Sequence, residues 1–275
     1  MKSFIAFVFA AFFTSSSLAQ DQTQKCSSDS PQPGQADLTS RSYAFLVEKI
    51  YPKVKHITPI ENNASIVKYA AVCEKHGEII VSYTIGQKTV ESLVETSGFA
   101  FTPSMAYNKL TAKIGIVFAR TRFGVFHSNM DTTDIIFSSA PYDHPFSFNT
   151  RQTIAMLIYP HDVNDPFYAN PSIAATNNTV NEFWISYRDT TKGGALLLID
   201  KDGKKVNTVY FNGGNPSSTK FIALGTHNES DNLHIAFEEH RNDNMQVYYT
   251  QAILQSTDSI ILKPVESVSS YSKYK

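Results

Sequence analysis

The feature that most constrains this chain is a short apolar strand that recurs and ends each time on an aromatic ring. Glu78–Tyr83 reads EIIVSY, Ile114–Phe118 IGIVF, Glu182–Tyr187 EFWISY and Asn232–Phe237 NLHIAF. Each follows another short run: Lys68–Cys73 (KYAAVC), Pro103–Tyr107 (PSMAY), Pro171–Thr176 (PSIAAT) and Lys220–Gly225 (KFIALG). In the third and fourth copies a polar turn and a further strand follow. Arg188–Gly194 (RDTTKGG) leads into Ala195–Asp200 (ALLLID), and His240–Asn244 (HRNDN) leads into Met245–Gln251 (MQVYYTQ). Lys201–Gly203 (KDG) then makes a tight hairpin into Lys205–Phe211 (KVNTVYF). The unit is four short strands joined by hairpins, and such a unit cannot bury both faces alone, so the copies must stack on one another.

The terminal aromatics lie 35, 69 and 50 residues apart, and the longest gap leaves room for a hidden copy over Thr153–Tyr159 (TIAMLIY). Four-stranded repeats of roughly 40–50 residues predict an all-β protein, a β-propeller. Removing 19 of the 275 residues as a leader leaves 256, which at about 45 residues per blade predicts five blades, with six as the alternative, over residues 61–275. A β-sandwich whose strands merely look alike is the competing architecture. Composition narrows the class without choosing within it. With 18% charged and 42% hydrophobic residues, wholesale disorder is excluded. A formal net charge of −1 excludes a polybasic nucleic-acid binder and gives no field toward anionic membranes.

The N-terminus reads as a routing label. Lys2 precedes the apolar run Phe4–Phe13, and Ser17 and Ala19 are the small residues that a cleavage site after Ala19 requires, so residues 1–19 are expected to be a secretory signal peptide. The mature chain is then secreted or periplasmic. No later stretch approaches 18 uncharged apolar residues, so no membrane insertion is expected after cleavage. Residues 20–60 read as an arm with a short helix over Arg41–Tyr51, which Ser40 can cap and Pro52 ends; Tyr43, Leu46, Val47 and Ile50 share its apolar face. The two cysteines, Cys26 and Cys73, are expected to pair as a disulfide in an oxidising compartment. Two isolated thiols do not make a zinc site, and neither a metal nor a cofactor is expected.

The stretches Leu233–Gln251 (LHIAFEEHRNDNMQVYYTQ) and Phe183–Asp200 (FWISYRDTTKGGALLLID) combine an apolar strand ending on an aromatic, a polar turn with Arg, and a second apolar or aromatic strand. In this they resemble the repeats of sialidase-type, BNR-like and TolB-like β-propellers. The resemblance implies the propeller fold. The Ser-x-Asp-x-Gly-x-x-Trp box of sialidases does not occur in the chain.

In a four-stranded meander the turns between second and third strands open at the same end as the links between successive sheets. Those turns are expected over Thr84–Lys88 (TIGQK), Ala119–Gly124 (ARTRFG), Arg188–Gly194 and Glu238–Asn244 (EEHRNDN). Arg120, Arg122, Arg188, Asp189, Glu239, His240 and Arg241 are the polar residues expected to line that loop face. Paired arginines can clamp a carboxylate or a sulfated sugar, and acid–arginine pairs can hold sugar hydroxyls. The same pairs also serve as braces that satisfy turn amides. The function expected is ligand binding, of a glycan or a protein partner. The alternative is a glycoside hydrolase acting through Asp189 and Glu239, which would need two carboxylates about 5–10 Å apart; Glu238 and Asp162 are the other candidates. No Gly-x-Ser-x-Gly elbow, His-Glu-x-x-His helix or phosphate-binding loop occurs in the chain. His127, His144 and His161 fall in an aromatic stretch, His127–Phe167, that reads as a loop insertion over the centre.

Overall fold

The computed structural model describes residues 56–59, 67–75, 77–85, 88–97, 99–127, 130–141, 148, 151–160, 169–189, 191–226, 232–241 and 244–271. These residues are nearly all strand, with a single 3-10 turn at Pro216–Ser218. The expected leader, the helix over Arg41–Tyr51, Cys26 and the arm as far as residue 55 lie outside them; residues 56–59, expected in the arm, are strand of the first sheet.

Four antiparallel sheets follow one another along the chain. The first contains β1 (His56–Pro59), β2 (Val67–Lys75), β3 (Glu78–Ile85) and β4 (Lys88–Glu95). The second contains β5 (Ala100–Asn108), β6 (Lys113–His127), β7 (Met130–Pro141) and β8 (Arg151–Pro160). The third contains β9 (Ser172–Ala175), β10 (Asn181–Asp189), β11 (Gly193–Asp200) and β12 (Lys205–Phe211). The fourth contains β13 (Thr219–Thr226), β14 (Leu233–Arg241), β15 (Asn244–Leu254) and β16 (Ile260–Leu262), and β17 (Glu266–Tyr271) pairs with the other half of β15. The first three sheets are simple up-and-down meanders, and in the fourth β16 and β17 share the outer edge of β15.

Strand alternation puts successive side chains on opposite faces, and three separate apolar clusters show what those faces meet. Between the first and second sheets lie Val72, Ile79, Val81, Val94, Ile114, Ile116 and Phe118. Between the second and third lie Val117, Ala119, Ile135, Phe137, Phe183, Ile185 and Tyr187. Between the third and fourth lie Trp184, Leu196, Leu198, Phe211, Ile235, Phe237 and Tyr248. On β6, Ile116 and Phe118 thus face backward along the chain while Val117 and Ala119 face forward. On β10, Phe183, Ile185 and Tyr187 face backward while Trp184 faces forward. The second and third sheets are covered on both faces, which is why their strands read as continuous apolar runs. A two-sheet sandwich would have one core; the described residues form three in series.

The terminal aromatics occupy equivalent places. Phe118, Tyr187 and Phe237 are all buried, and each faces the sheet that precedes its own. Their burial contributes about 1.5–3 kcal/mol apiece. Close approach of the sheets needs a missing side chain at one point: a Cβ on Gly115 would lie 2.8 Å from the Phe183 ring. Phe183 also meets Phe137 with ring centroids 5.7 Å apart.

Several expectations about the repeat are corrected. Thr153–Tyr159 is not a hidden copy; it belongs to β8, the outer strand of the second sheet, where Met156 and Ile158 are exposed. The gap of 69 arises because β6 and β7 are long, at 15 and 12 residues. His127–Phe167 is accordingly not one loop, since β7 and β8 occupy much of it. Ala119–Gly124 is not a turn but the interior of β6. Tyr83 lies on the third strand of its sheet, not the second, so Thr84–Lys88 spans the β3–β4 turn at the opposite end of the strands from the inter-sheet links. Among the described residues there are four sheets, three of four strands and one of five.

At the end opposite those links, the second and third sheets are stapled by polar groups. Lys113 Nζ lies 2.7 Å from Glu182 Oε1 and donates to the Lys201 carbonyl at 3.0 Å. The fully buried Asn108 donates from Nδ2 to the Glu182 carbonyl at 2.8 Å. Burial raises the Glu182 carboxyl above its ordinary range, and the Lys113 charge offsets only part of that shift.

Two outcomes are expected. Gly115→Ala should lower the stability of the chain by about 1–3 kcal/mol, read as a drop in urea midpoint, because the Phe183 ring has to move; an unchanged midpoint would contradict the packing. Because the folded-state pKa of Glu182 is raised, its contribution to stability is greatest below about pH 4.5 and is lost as pH rises through the raised value. Glu182→Gln should therefore gain on the wild type as pH goes from 4 to 7 in parallel denaturation series, and a gap that moves the other way would count against this.

Candidate functional site

The links between sheets and the second-to-third-strand hairpins gather at one end of the strands. A backbone bond ties the second sheet to the first there, Ala100 N–H to the Gly77 carbonyl at 2.9 Å, and another, Arg188 N–H to the Ala169 carbonyl at 2.8 Å, anchors the link that enters the third sheet. The expected site residues fall at this end and divide into three groups.

Arg120 and Arg122 lie two apart on β6 and so share a face. Both reach Asp134 on β7: Arg122 Nε is 2.7 Å and Arg120 Nη2 3.3 Å from Oδ2. Arg120 also reaches back to the first sheet, with Nη1 3.3 Å from Glu95 Oε2, and Arg151 of β8 reaches the same oxygen at 3.1 Å. Glu95 Oε1 in turn accepts the N–H groups of Thr96 and Ser97, each at 3.0 Å, and so fixes the link between the first two sheets. Asp134 and Glu95 are buried, whereas the side chains of Arg120, Arg122 and Arg151 keep 30%, 46% and 40% exposure. Asp134 raises the Arg122 pKa through its hydrogen bond and its charge. The cluster sets three cations against two carboxylates, and its guanidinium edges reach solvent. Asp134 Oδ1 is buried and has no partner among the described residues.

Arg188 and Glu239 form the second group, from opposite sides of one link. Glu239, fully buried on β14, accepts from the backbone N–H groups of Gly213 and Asn215, the latter at 3.3 Å, and from the Thr219 hydroxyl at 3.4 Å. Arg188 Nη2, on β10, donates to the Ser217 carbonyl at 3.2 Å. Together they hold the segment between β12 and β13. Gly213 is required there, since a Cβ would lie 2.4 Å from the Tyr248 ring.

Asp189 stands apart from both groups. Its Oδ1 accepts from Thr191 N–H at 2.9 Å, Thr191 Oγ1 at 2.7 Å and Lys192 N–H at 3.0 Å, capping its own hairpin. Beside it, Lys192 Nζ sits 4.4 Å from the centre of the partly exposed Tyr210 ring. Burial holds the neighbouring Tyr187 phenol well above its ordinary pKa, so it stays protonated. His240 and Arg241 sit at the end of β14 beside the hairpin, opposite Met245 and Asn244; their side chains are outside those described.

Sequence reasoning placed Arg120 and Arg122 together but missed Asp134, Glu95 and Arg151. Asp134 was detectable in principle: an acid set directly before Ile135-Ile136-Phe137 in an apolar run must find a cation if the run is buried. Among the described residues no three metal-ligating side chains cluster, and no helix is long and apolar enough to cross a membrane. The Cys26–Cys73 pairing cannot be placed, because Cys26 lies outside the described residues.

No known protein family matches the sequence, and no curated protein does. Among solved structures, the chain is similar to the GH43 endo-arabinanase from Bacillus licheniformis, with 12% identity and a TM-score of 0.41 over 72% of this chain and 70% of that one. A likeness of that degree does not fix the fold, and it carries no site residue over.

Glu239→Ala would leave the Gly213 and Asn215 amides without their acceptor. It should cost about 1–3 kcal/mol and raise amide hydrogen exchange in residues 212–218 before it affects residues 183–187. Unaltered exchange in that link would show that Glu239 does not hold it.

Proposed function

We propose that this chain is an exported, ligand-binding β-propeller that holds a glycan or a protein partner at the end of its sheets where the inter-sheet links gather. The propeller reading is supported by four meanders in chain order, each covering the next, and by the equivalent backward-facing aromatics. Export rests on the N-terminal pattern of Lys2, Phe4–Phe13 and Ala19.

One observation carries the choice of binding over hydrolysis. At the link end both candidate carboxylates brace turns, Asp189 through Oδ1 in its own hairpin and Glu239 through both oxygens in the 212–219 link, while the guanidinium edges of Arg120, Arg122 and Arg151 reach solvent. A hydrolase working through that pair would need one carboxyl free to protonate a leaving group and the other free to attack or to activate water. A guanidinium has five N–H donors in a fixed fork. Arg122 engages Asp134 through Nε, which leaves its two Nη groups available to a ligand carboxylate, sulfate or hydroxyl pair. Tyr210, partly exposed at the same end, offers a ring for stacking against a sugar.

A glycan-array screen run beside a panel of chromogenic glycosides tests this. Binding without turnover is expected, with affinity falling about tenfold or more in Arg122→Ala while the fold is kept, because Arg120 still pairs Asp134. Turnover that disappears in Glu239→Gln or in Asp189→Asn would replace this reading with the hydrolase. Binding that Arg122→Ala leaves intact would move the site elsewhere on the surface.

A further inference from the structure

Met156 and Ile158 of β8 are the most exposed of the large apolar side chains among the described residues, at 57% and 56%. Register places them beside the arginine cluster. Asp134 of β7 stands directly between Arg120 and Met156, and Thr132 directly between Arg122 and Ile158. Side chains opposite one another in a ladder share a face, and Arg120 and Arg122 follow Ile116 and Phe118 by even steps along β6. All of these residues therefore stand on the face of the second sheet that is turned toward the first. The apolar cluster between those two sheets ends before it reaches β8 there, since neither Met156 nor Ile158 belongs to it. A single exposed apolar residue needs no explanation. Two side by side, next to an arginine rim, have the composition of a protein contact surface, where Met and Arg are both enriched.

We infer, resting on the reading that Arg122 holds the ligand, that the occupant of this surface is a protein partner rather than a glycan. It presents an extended segment whose carboxylate side chain meets the Arg122 guanidinium while a neighbouring aliphatic side chain covers Met156 and Ile158. Charge complementarity sets the first half. Asp134 and Glu95 are buried, so the charge that the cluster shows to solvent is that of Arg120, Arg122 and Arg151, and an acidic group answers it. Spacing sets the second half. β6 and β8 lie two strand spacings apart, about 10 Å. An extended peptide laid across the strands repeats its side chains on one face every 6–7 Å or so, and a long acidic side chain reaching for Arg122 covers the remainder. The apolar part of the surface is aliphatic and thioether, which suits a branched aliphatic partner, and the unbranched Met156 can adapt its shape to it. A sugar would look instead for an aromatic ring. Tyr210 pairs with Ala195, which faces the other side of the second sheet, so that sheet stands between its ring and Arg122. A sugar held by Arg122 would leave Met156 and Ile158 uncovered.

A phage-displayed library of random heptapeptides selected on the full chain tests this, with an array of sulfated glycans run beside it. Enriched peptides should share an acidic residue with an aliphatic residue two or three positions away. In fluorescence polarisation the best of them should lose about tenfold or more in affinity with Arg122→Ala, and as much again, separately, with the pair Met156→Ser and Ile158→Ser. Both positions are more than half exposed, so the serine pair should keep the wild-type urea midpoint. The pair Met156→Leu and Ile158→Val keeps an aliphatic surface and should bind like the wild type. Peptide or sulfated-glycan binding that Arg122→Ala abolishes but the serine pair leaves intact would overturn the inference while leaving the arginine site standing. A library that yields no acidic–aliphatic pattern would overturn it as well. Binding indifferent to Arg122→Ala would remove both the inference and the reading on which it rests.

Discussion

Everything in this chain depends on one constraint: a four-stranded meander has two faces, and an apolar side chain on either must be covered. Strand alternation sends Ile116 and Phe118 backward and Val117 and Ala119 forward from the same strand, so no single partner can satisfy the second sheet. The chain answers by placing its sheets in series, each closing the forward face of the one before. The aromatic at the end of the second strand is the recurring element of that contact. Phe118, Tyr187 and Phe237 fill equivalent places although their neighbours differ. Where a ring needs more depth, the facing backbone gives up a side chain, as strand residue Gly115 does for Phe183 and link residue Gly213 does for Tyr248.

Polar side chains work around this apolar series by holding the links between sheets. Glu95 fixes the amides after the first sheet and Glu239 those after the third. Both are buried carboxylates whose oxygens accept from backbone, and removing either would leave amides without partners at a cost near that of a lost buried hydrogen bond. The arginines act differently in the two places. Arg188 is buried and donates to the link at Ser217, whereas Arg120, Arg122 and Arg151 surround Asp134 and Glu95 and keep an exposed edge. That difference separates a brace from a surface able to take a ligand, and the proposed binding site follows from it.

The strands and their meander order were legible in the sequence because burial on both faces leaves nearly continuous apolar runs, as in Phe183–Tyr187 and Ala195–Ile199. Hairpin chemistry was legible too: Asp200-Lys-Asp202-Gly203 turns with Asp200 Oδ1 accepting from Asp202 and Lys204 and with Gly203 at φ +78°. The second sheet was legible only in part: Pro103–Tyr107 and Ile114–Phe118 were read as strands, but β6 runs on through Arg120 and Arg122 where polar residues suggested a turn. Those residues stay in strand because Asp134 directly opposes Arg120 in register. The pair is 14 residues apart in sequence, and local patterning cannot see a cross-strand partner at that distance. Asp189 and Glu239 were visible as polar residues near hairpins. Their commitment to backbone amides depends on where the chain returns, which no local pattern encodes.

The serial arrangement can be tested most directly through the single tryptophan. Trp184 is 1% exposed and lies in the cluster between the third and fourth sheets, with Leu233 of the fourth. Its emission in the native protein should be blue-shifted and resistant to iodide quenching. Leu233→Ala should open it to quencher, while Val117→Ala, which thins the neighbouring cluster between the second and third sheets, should leave it shielded. Solvent-like emission from the native chain, or equal sensitivity to both substitutions, would contradict a fold in which each interface has its own core.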